Sequence, residues 1–380
     1  MKWLFYVNGA NNRKNAWNGD IIRYGGVGVS GTDQSYVYFA EQLVRRGDTV
    51  DLCAGSCLVG PCRGVNYIRA VVDNDYDGVV VNYPNELPKI CFYKVKRLYV
   101  YFQCNALYAY NLVAFKRLHP WCEIVALHVS EFGKRSTRVA VLEYDYYFNR
   151  EVVVNNPVFM DVFEEVCGNV ERVRRSFVFH AVWERGGVVA EEVYRRLGWT
   201  GGLFRADYDA VGMRDSVGGA RDDVGVTRDA AKQVGGSQES GRSQDKMAVG
   251  KLLARGEYFV YPLINSNPMY YDVVHKDTFG CCVSEALAMG VIVVTWRVAA
   301  LAELYTDEEV LFVDFPKGAN VEKLVGDEPI IIDATMRSEE AIQAIVKAIM
   351  DLEGDCERKK RMVENGMRRG RGFGKVEWVD

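Results

Sequence analysis

Two acidic residues near position 280 have the types and spacing of a ligand-binding crevice. Asp277 stands in a polar loop, and Glu285 follows eight positions later, within a run of small residues typical of a short helix. Between them, Phe279 and Gly280 mark the amino terminus of that helix, where backbone N–H groups can bind an anion. The spacing lets both carboxylates face one crevice, so the sequence predicts a site for a polar ligand that carries negative charge.

The elements around these acids predict where the crevice lies. Residues 258–262 have the composition of a buried strand ended by proline, and an apolar β run follows Gly290. The order is therefore strand, long loop, short helix and strand, which is a βαβ-type unit. Its loop leaves the carboxyl end of a strand, where open α/β sheets bind ligands.

Two side chains that can carry positive charge follow another predicted strand. Residues 176–180 form an apolar strand that ends at His180, and Arg185 lies five positions further, in a loop. The helical run 188–197 then ends at Gly198, a favoured helix C-cap. Arginine is permanently charged, whereas histidine is only partly protonated near neutral pH. The pair is a candidate site for anionic groups. The alternative is a solvated loop arginine and a strand-end histidine with hydrogen bonds inside the fold.

A glycine-rich loop lies near the start of the chain. Residues 25–31 have the sequence GGVGVSG, and Ser30 or Thr32 could cap a helix predicted from Asp33 to Arg46. The third glycine comes one position too early for the G-x-G-x-x-G fingerprint of dinucleotide-binding folds. No G-K-[ST] follows, which excludes a P-loop.

The region around the two acids resembles the E-x7-E segment of retaining glycosyltransferases of family four, which have the GT-B fold. The usual pattern there is E-G-F-G-x-x-x-x-E-A-M-A-x-G-x-P-V-V. Asp277 stands where the first glutamate is expected, and Ile292 replaces the usual proline. The positions that match are Phe279, Gly280, Glu285, Ala286, Ala288, Gly290, Val293 and Val294.

The other two regions support the same resemblance. In the family, a strand and loop of pattern G-R-x-x-x-x-K-G carry two cations that hold the donor diphosphate, and His180 and Arg185 have that spacing. Arg185 keeps the charge of the usual lysine and adds a bidentate fork, whereas His180 replaces an arginine. The loop with Gly28 and Gly31 is similar to the family's first glycine loop, which faces the donor phosphates. Fixed cations stabilise the charge that a diphosphate leaving group gains in the transition state.

The resemblance also implies roles for the residues around the two acids. Glu285 would accept hydrogen bonds from the ribose hydroxyls of the donor. Asp277, with the backbone amides of Phe279 and Gly280, would hold the hydroxyls of the donor sugar. Thr278 lies in the same donor-binding loop.

The reaction implied is transfer of a sugar, of hexose type, from a UDP- or GDP-linked donor to a glycan, glycoprotein or lipid acceptor, with retention of anomeric configuration. Attack in this family is thought to come from the front face, with a phosphate oxygen taking the acceptor proton, so no protein nucleophile is expected. Neither a metal nor a cofactor beyond the donor substrate is implied. Two alternatives stay open: a non-catalytic module that binds sugar nucleotides or glycans, and a sugar-nucleotide epimerase, which would need further acid–base residues.

Composition narrows the class of protein. A chain of 380 residues is long enough for two α/β domains, and a net charge of −4 gives no electrostatic footprint for nucleic acid. No apolar run reaches the ~18 residues that a membrane-spanning helix needs. Residues 1–7 are too short an apolar run for a signal peptide, so the ten cysteines are expected to be reduced thiols in the cytoplasm. Cys53, Cys57 and Cys62 lack the spacing of a zinc site.

The predicted fold class is α/β, with two Rossmann-like domains in the GT-B architecture facing a central cleft. Residues 1–157 would form the first, acceptor-side domain and residues 158–353 the second, nucleotide-sugar-binding domain, with a helix at about 354–380 packing back on the first. Segment 205–245 is glycine-rich, charged and poor in large apolar residues, and it matches the family least. Residues 111–121 mix basic and aromatic side chains; a half-buried helix is favoured over peripheral membrane contact.

Overall fold

Two α/β units, each built on a largely parallel sheet, make up the part of the chain that the structure describes. The computed structural model describes residues 1–7, 16–25, 31–71, 75–82, 87, 94–103, 110–140, 144–181, 185–205, 245–263, 279–314, 321–324, 328–331, 338–376 and 378. The predicted α/β class with two Rossmann-like units is confirmed within these ranges.

The first unit is built on an eight-stranded sheet. Its strands are β1 (Lys2–Val7), β2 (Thr49–Ala54), β3 (Gly60–Cys62), β4 (Val65–Ile68), β5 (Asp75–Asn82), β6 (Lys94–Phe102), β7 (Glu123–His128) and β8 (Arg150–Val153). Their order across the sheet is β3-β4-β2-β1-β5-β6-β7-β8, and all neighbours are parallel except β3 and β4. The central strands are nearly continuous runs of buried β-branched and aromatic residues, as expected where helices cover a parallel sheet.

Helices connect these strands. They are α1 (Gly19–Tyr24), α2 (Gly31–Arg45), α3 (Tyr110–Leu118), α4 (Glu131–Ala140) and α5 (Tyr144–Tyr147). In α2, the residues Tyr36, Phe39, Ala40 and Leu43 recur at the helical period and are buried. This apolar stripe holds the helix against β1 and β2 and so fixes where its amino terminus lies.

The second unit contains a five-stranded parallel sheet in the order β10-β9-β11-β12-β13. Its strands are β9 (Phe177–Phe179), β10 (Leu203–Arg205), β11 (Tyr258–Tyr261), β12 (Ile292–Trp296) and β13 (Leu311–Val313), and β14 (Val321–Leu324) and β15 (Glu328–Ile331) form a separate antiparallel pair. Tyr258 lies beside both Phe177 and Ile292. The carboxyl ends of β9, β11 and β12 therefore meet at one edge of the sheet, where ligand sites of such folds lie.

The helices of the second unit likewise connect its parallel strands or flank its sheet. They are α6 (Met160–Cys167), α7 (Gly187–Leu197), α8 (Lys246–Arg255), α9 (Cys281–Ala288), α10 (Ala299–Leu304), α11 (Glu339–Glu353) and α12 (Cys356–Arg371). Helix α12 packs directly on α9. A methyl group added at Gly370 would lie 2.5 Å from the backbone nitrogen of Ala288, so the two helices approach too closely for any larger residue there.

Beyond α12, the chain returns to the first unit. Trp378 is buried in its aromatic core, with ring centroids 5.9 Å from Trp3, 5.1 Å from Tyr99 and 6.1 Å from Phe39. Its carbonyl oxygen accepts a hydrogen bond from Arg150 Nη2 at 3.5 Å. The core of the first sheet is thus completed by a residue that follows the whole second unit in sequence.

The segment 111–121 is half-buried, as the favoured interpretation required. Leu112 and Phe115 on α3 are buried, whereas Leu118 and Trp121 are largely exposed. In the part of the chain that the structure describes, no helix has the length and apolar character needed to cross a bilayer. Among those residues the cysteines are free thiols.

Candidate functional site

Helix α9, which carries Glu285, lies at the edge where β9 and β11 end. Gly280 precedes α9 with φ of 75°, a left-handed conformation that favours glycine, and so aims the helix amino terminus along this edge. The ring of Phe279 is buried edge-to-face against Phe373, with centroids 5.1 Å apart. The aromatic side chain therefore anchors the start of α9, and the backbone amides predicted to bind a sugar are held on a rigid element.

Three buried side chains meet inside this edge. Nε2 of His180, the residue after β9, lies 2.7 Å from Oε2 of Glu285. Nζ of Lys246, the first residue of α8, donates to Oε1 of the same carboxylate. The three side chains are 4%, 5% and 5% exposed, for His180, Glu285 and Lys246 respectively. The two residues predicted from sequence to bind the diphosphate and the ribose are thus in direct contact with each other.

The charge state of Glu285 follows from these contacts. Burial raises the pKa of its carboxyl, but the ammonium of Lys246 and the hydrogen bond from His180 outweigh burial and lower the pKa to about 2. Glu285 is therefore ionised at any physiological pH and can only accept hydrogen bonds. It follows that Nε2 of His180 carries a hydrogen. An ionised carboxylate offers about four acceptor positions, of which these two neighbours use two.

Arg185 is positioned by a tight turn before α7. Gly186 has φ of 115°, and a methyl group added there would lie 2.3 Å from the ring of Pro262. Only glycine suits this left-handed, close-packed position. Nη1 of Arg185 donates to the hydroxyl of Tyr261 at 3.3 Å. The guanidinium therefore lies at the carboxyl end of β11, the strand next to the one that His180 follows.

The first unit contributes the opposite wall through Gly31. This residue begins α2, and a methyl group added to it would lie 3.6 Å from Sγ of Cys281, the first residue of α9. The amino termini of α2 and α9 therefore approach each other across the two units. Both termini present partial positive charge, which favours an anionic ligand between them.

Asn156 fixes this approach. Its Oδ1 accepts hydrogen bonds from Ser35 Oγ (2.9 Å), Tyr101 OH (2.6 Å) and Gln103 Nε2 (2.8 Å), all in the first unit. Its Nδ2 donates to Sγ of Cys281 at 3.2 Å. The side chain is 2% exposed. One buried amide, in the segment that leaves the first sheet, thus ties α2 and β6 to the start of α9.

Three predicted site residues, Asp277, Thr278 and Gly28, lie outside the described residues, as does most of segment 205–245. Lys246, in contrast, is a site residue that the sequence analysis missed. It recurs with Val249, Gly250, Leu253 and Ala254 at the helical period on the buried face of α8. A lone lysine on an apolar stripe is the signal that could have revealed it, because a buried ammonium requires an ionic partner.

Chemically, this edge suits a ligand with negative charge and hydroxyl groups. It combines a buried, ionised acceptor in Glu285, a guanidinium in Arg185 and two converging helix amino termini. Among the described residues, no group of three or more His, Cys, Asp or Glu side chains is placed to hold a metal ion.

Comparison with known proteins shows the fold. No family model matches the chain, and no curated protein matches it either. A glycosyltransferase from Rickettsia africae aligns with a TM-score of 0.55 at 12% identity over 97% of this chain and 93% of that one. The Anabaena protein HepE, solved with UDP and glucose, aligns with a TM-score of 0.54 at 12% identity over 97% and 95%. Sucrose-phosphate synthase from Thermosynechococcus elongatus gives a TM-score of 0.53 at 12% identity over 99% and 95%.

These alignments span both units and nearly the whole of each chain. At such low identity they establish architecture and leave the activity of this chain open. The chain has the fold of the GT-B glycosyltransferases, with two Rossmann-like domains on parallel sheets.

Proposed function

We propose that this chain is a glycosyltransferase that uses a nucleotide-diphosphate sugar, UDP- or GDP-linked, as donor and retains the anomeric configuration. The observation that carries the proposal is the buried, ionised Glu285 at the carboxyl edge of the second sheet, beside the amino terminus of α9. A carboxylate held there, within a GT-B fold, suits hydroxyl groups of a ribose. The neighbouring helix terminus suits the phosphates.

Roles are proposed for the surrounding residues. Arg185 binds the diphosphate, and the amino termini of α2, at Gly31, and of α9 support it. His180 helps to hold the same site, although its Nε2–H donates to Glu285 rather than pointing to a phosphate. Asp277, with the amides of Phe279 and Gly280, binds the donor sugar.

In the proposed reaction, these fixed positive groups stabilise the charge that develops on the leaving diphosphate. Front-face attack, with a phosphate oxygen taking the acceptor proton, needs neither a protein nucleophile nor a metal. Proposed acceptors are a glycan, a glycoprotein or a lipid.

We also propose a domain boundary near residue 157. Strand β8, the last of the first sheet, ends at Val153, and α6 begins at Met160 and packs on α8 of the second unit. The proposed return to the first unit is supported by Trp378, which packs in the first sheet's core, whereas helix α12 itself packs on α9 of the second unit.

The test is a thermal-shift screen against UDP, GDP and their sugars, followed by detection of hydrolysis or transfer. A ligand that binds only the native state raises the melting temperature. Arg185→Ala should weaken both the free diphosphate and the whole donor. The matched control is Arg195→Ala, since that arginine is exposed and pairs with Glu192 on its own helix. Absence of any shift with every nucleotide and nucleotide sugar would refute the proposal, and NMR of the product anomer tests retention.

A second candidate is a module that binds a sugar nucleotide without transfer. Nε2 of His180, at the first of the two predicted cation positions, donates to Glu285, so the imidazole gives less support to the charge of a leaving diphosphate, which favours binding over transfer. Measured binding of a nucleotide sugar, with neither hydrolysis nor transfer to any offered acceptor, would favour this candidate.

A further inference from the structure

Lys246 is the least expected member of the buried cluster. It opens α8, follows the helix cap Asp245, and its side chain turns inward to Oε1 of Glu285. Burying an ammonium group is costly unless it is paired, so the contact with Glu285 is what makes this placement tolerable. The ammonium also lies 5.8 Å from the ring centroid of Phe159, a weaker favourable contact.

Each oxygen of the Glu285 carboxylate has its own partner. Lys246 and His180 approach the carboxylate through different oxygens, from α8 and from the end of β9. Held at both oxygens, the carboxylate cannot rotate about its last bond without losing a partner. Its remaining acceptor positions therefore have a fixed direction before any ligand arrives.

We propose that Lys246 is a positioning residue of the nucleotide site, one that keeps Glu285 ionised and oriented for the ribose hydroxyls and does not itself bind phosphate. The proposal rests on the proposed function and adds a residue to that same site. According to the proposal, Glu285 stays charged because Lys246 contacts it, and the sequence pattern did not connect these two residues.

Other charged or titratable side chains on the elements around α9 have separate partners or positions. Asp245 accepts from the backbone nitrogen of Ala248, and Arg185 donates to Tyr261. On α12, Arg369 donates to the carbonyl of Leu304, and Arg371 donates to the carbonyl of Ala288. Arg172, which precedes β9, donates to the carbonyls of Met289 and Gly290. Asp33 is buried in the first turn of α2, and Cys281 and Cys282 begin α9 itself. Burial raises the pKa of Glu285, and the ammonium of Lys246 and the hydrogen bond from His180 are what lower it.

Removing the ammonium should make the site sensitive to pH. In Lys246→Met, only His180 still opposes the effect of burial, which raises the pKa of Glu285, so that pKa rises from about 2. Binding of the ribose hydroxyls requires the ionised carboxylate, so affinity should fall when Glu285 is protonated. As the pH falls through the raised pKa, Glu285 gains a proton, and affinity for the ribose falls by up to about tenfold per pH unit. In the wild type, Glu285 stays ionised and contributes no such dependence.

The experiment measures affinity from about pH 5.5 to about pH 8 with uridine and guanosine, and separately with UDP and GDP. Nucleosides lack phosphates that titrate in this range, so their profile reports the protein. We expect the affinity of Lys246→Met to fall further below that of the wild type as the pH drops, with an equal loss for nucleoside and diphosphate. Lys246→Arg should keep the wild-type profile, and Lys251→Met, on the exposed side of the same helix, is the matched control.

Each other outcome has a defined meaning. Parallel pH profiles in wild type and Lys246→Met would overturn the positioning role. A variant that loses affinity for UDP or GDP but keeps it for the nucleoside would make Lys246 a phosphate ligand, and would also overturn it. A wild type that binds none of the four probes would remove the proposed function and this inference with it. If Lys246→Met does not fold, Lys246→Gln keeps a hydrogen-bond donor without charge, and the double variant Lys246→Met/Glu285→Gln serves as the folded, charge-free reference.

Discussion

Two buried glutamates, one in each unit, are paired with cations and yet behave in opposite ways. Glu41 on α2 is 2% exposed and accepts two hydrogen bonds from Arg23, at 2.9 and 2.7 Å. Burial raises the pKa of Glu41 above its ordinary value in spite of that arginine. Glu285 is 4% exposed, and for it the neighbouring Lys246 and His180 outweigh burial and lower the pKa to about 2.

The difference lies in how the positive charge is shared. Nε of Arg23 also donates to Asp161 at 2.8 Å, so this guanidinium is shared between two carboxylates; Arg63 donates to Asp161 as well, at 3.3 Å, and Arg45 lies 3.9 Å from Glu41. Asp161 belongs to α6 of the second unit, and its negative charge opposes ionisation of Glu41. Glu285 receives a hydrogen bond on each oxygen and shares its ammonium with no described acid. Burial alone therefore does not decide the charge of a carboxylate; the local balance of charges does.

The two clusters also differ in position. The Arg23 cluster joins α1 and α2 of the first unit to α6 of the second, and it contacts the Glu285 cluster's neighbour Phe159, whose ring centroid is 4.7 Å from Arg23 Cζ and 5.8 Å from Lys246 Nζ. We interpret it as a clamp between the units. The Glu285 cluster lies at the edge where β9 and β11 end, and the fold places ligands there. The comparison predicts that changes in the first cluster act chiefly on stability, whereas changes in the second act on binding as well as on stability.

The largest effect on stability should come from Arg23→Met. The variant leaves Glu41 buried without its main cation and removes the link to Asp161, and breaking a buried pair on one side costs about 3–5 kcal/mol. Urea unfolding measures the loss. The double variant Arg23→Met/Glu41→Leu should recover most of it, because no charge is then stranded. A loss below about 1 kcal/mol in the single variant would contradict the clamp.

The next effect is on affinity. Glu285→Gln should weaken binding of UDP or GDP by about 1.5–3 kcal/mol, the usual value of a hydrogen bond to a charged group. Isothermal titration of the folded variant measures it. Glu41→Gln is the matched control, since it changes the other buried glutamate and should leave nucleotide affinity as it is. Equal affinity in wild type and Glu285→Gln would show that the helix acid does not contact the nucleotide.

The two glutamates should also respond to pH with opposite signs. The pKa of Glu285 is lowered from 4.5 to about 2, so its contribution to stability is present above pH 4.5 and is lost as the pH falls toward 2. The pKa of Glu41 is raised, so ionising it costs the native state, and its contribution falls as the pH rises through 4.5 and beyond. Each slope is at most about 1.4 kcal/mol per pH unit.

Unfolding free energies of wild type, Glu285→Gln and Glu41→Gln, measured across this pH range, isolate the two contributions. The difference between wild type and Glu285→Gln should shrink as the solution becomes acidic. The difference between wild type and Glu41→Gln should change in the other direction. If both free-energy differences changed with pH in the same direction, the two glutamates would not differ in the way proposed.

The smallest effect should come from an exposed carboxylate with the same pKa. Arg196 holds the pKa of Glu339 to about 2, with a further hydrogen bond from Gln343, but Glu339 is solvent-exposed. Solvent screens this pair, so Glu339→Gln should leave the melting temperature within experimental error. A clear loss of stability would show that burial does not explain why the Arg196–Glu339 pair contributes less to stability than the Glu285 cluster.

Sequence periodicity predicted most of the elements that position the site. The strand at 258–262 is observed as β11, and the helix predicted from Asp33 to Arg46 is observed as α2. These elements are fixed by local apolar patterns and by glycine at their ends, so a single sequence contains the information. The helix predicted at about 354–380 is observed as α12, which Asp355 caps and which ends at Arg371.

The contacts within the site were less accessible from the sequence. His180 and Glu285 are 105 positions apart, and their contact depends on how β9 and β11 pair across the sheet. The family resemblance assigned them to two separate groups of the donor, a diphosphate for His180 and a ribose for Glu285, and did not indicate a hydrogen bond between them. Lys246 follows a segment whose composition carries little pattern, so its place on the apolar face of α8 was overlooked.

The position of Trp378 has a consequence for the order of events during synthesis. Its indole packs on Trp3, yet almost the whole chain separates the two residues. Ribosomes add about 5–20 residues per second, so the first sheet waits on the order of tens of seconds for the ring that completes its core. During that interval, the apolar socket for Trp378, formed by Trp3, Phe39 and Tyr99, is exposed to solvent. Protein that stops short of Trp378 keeps that socket open, and we expect it to be bound by chaperones or to aggregate.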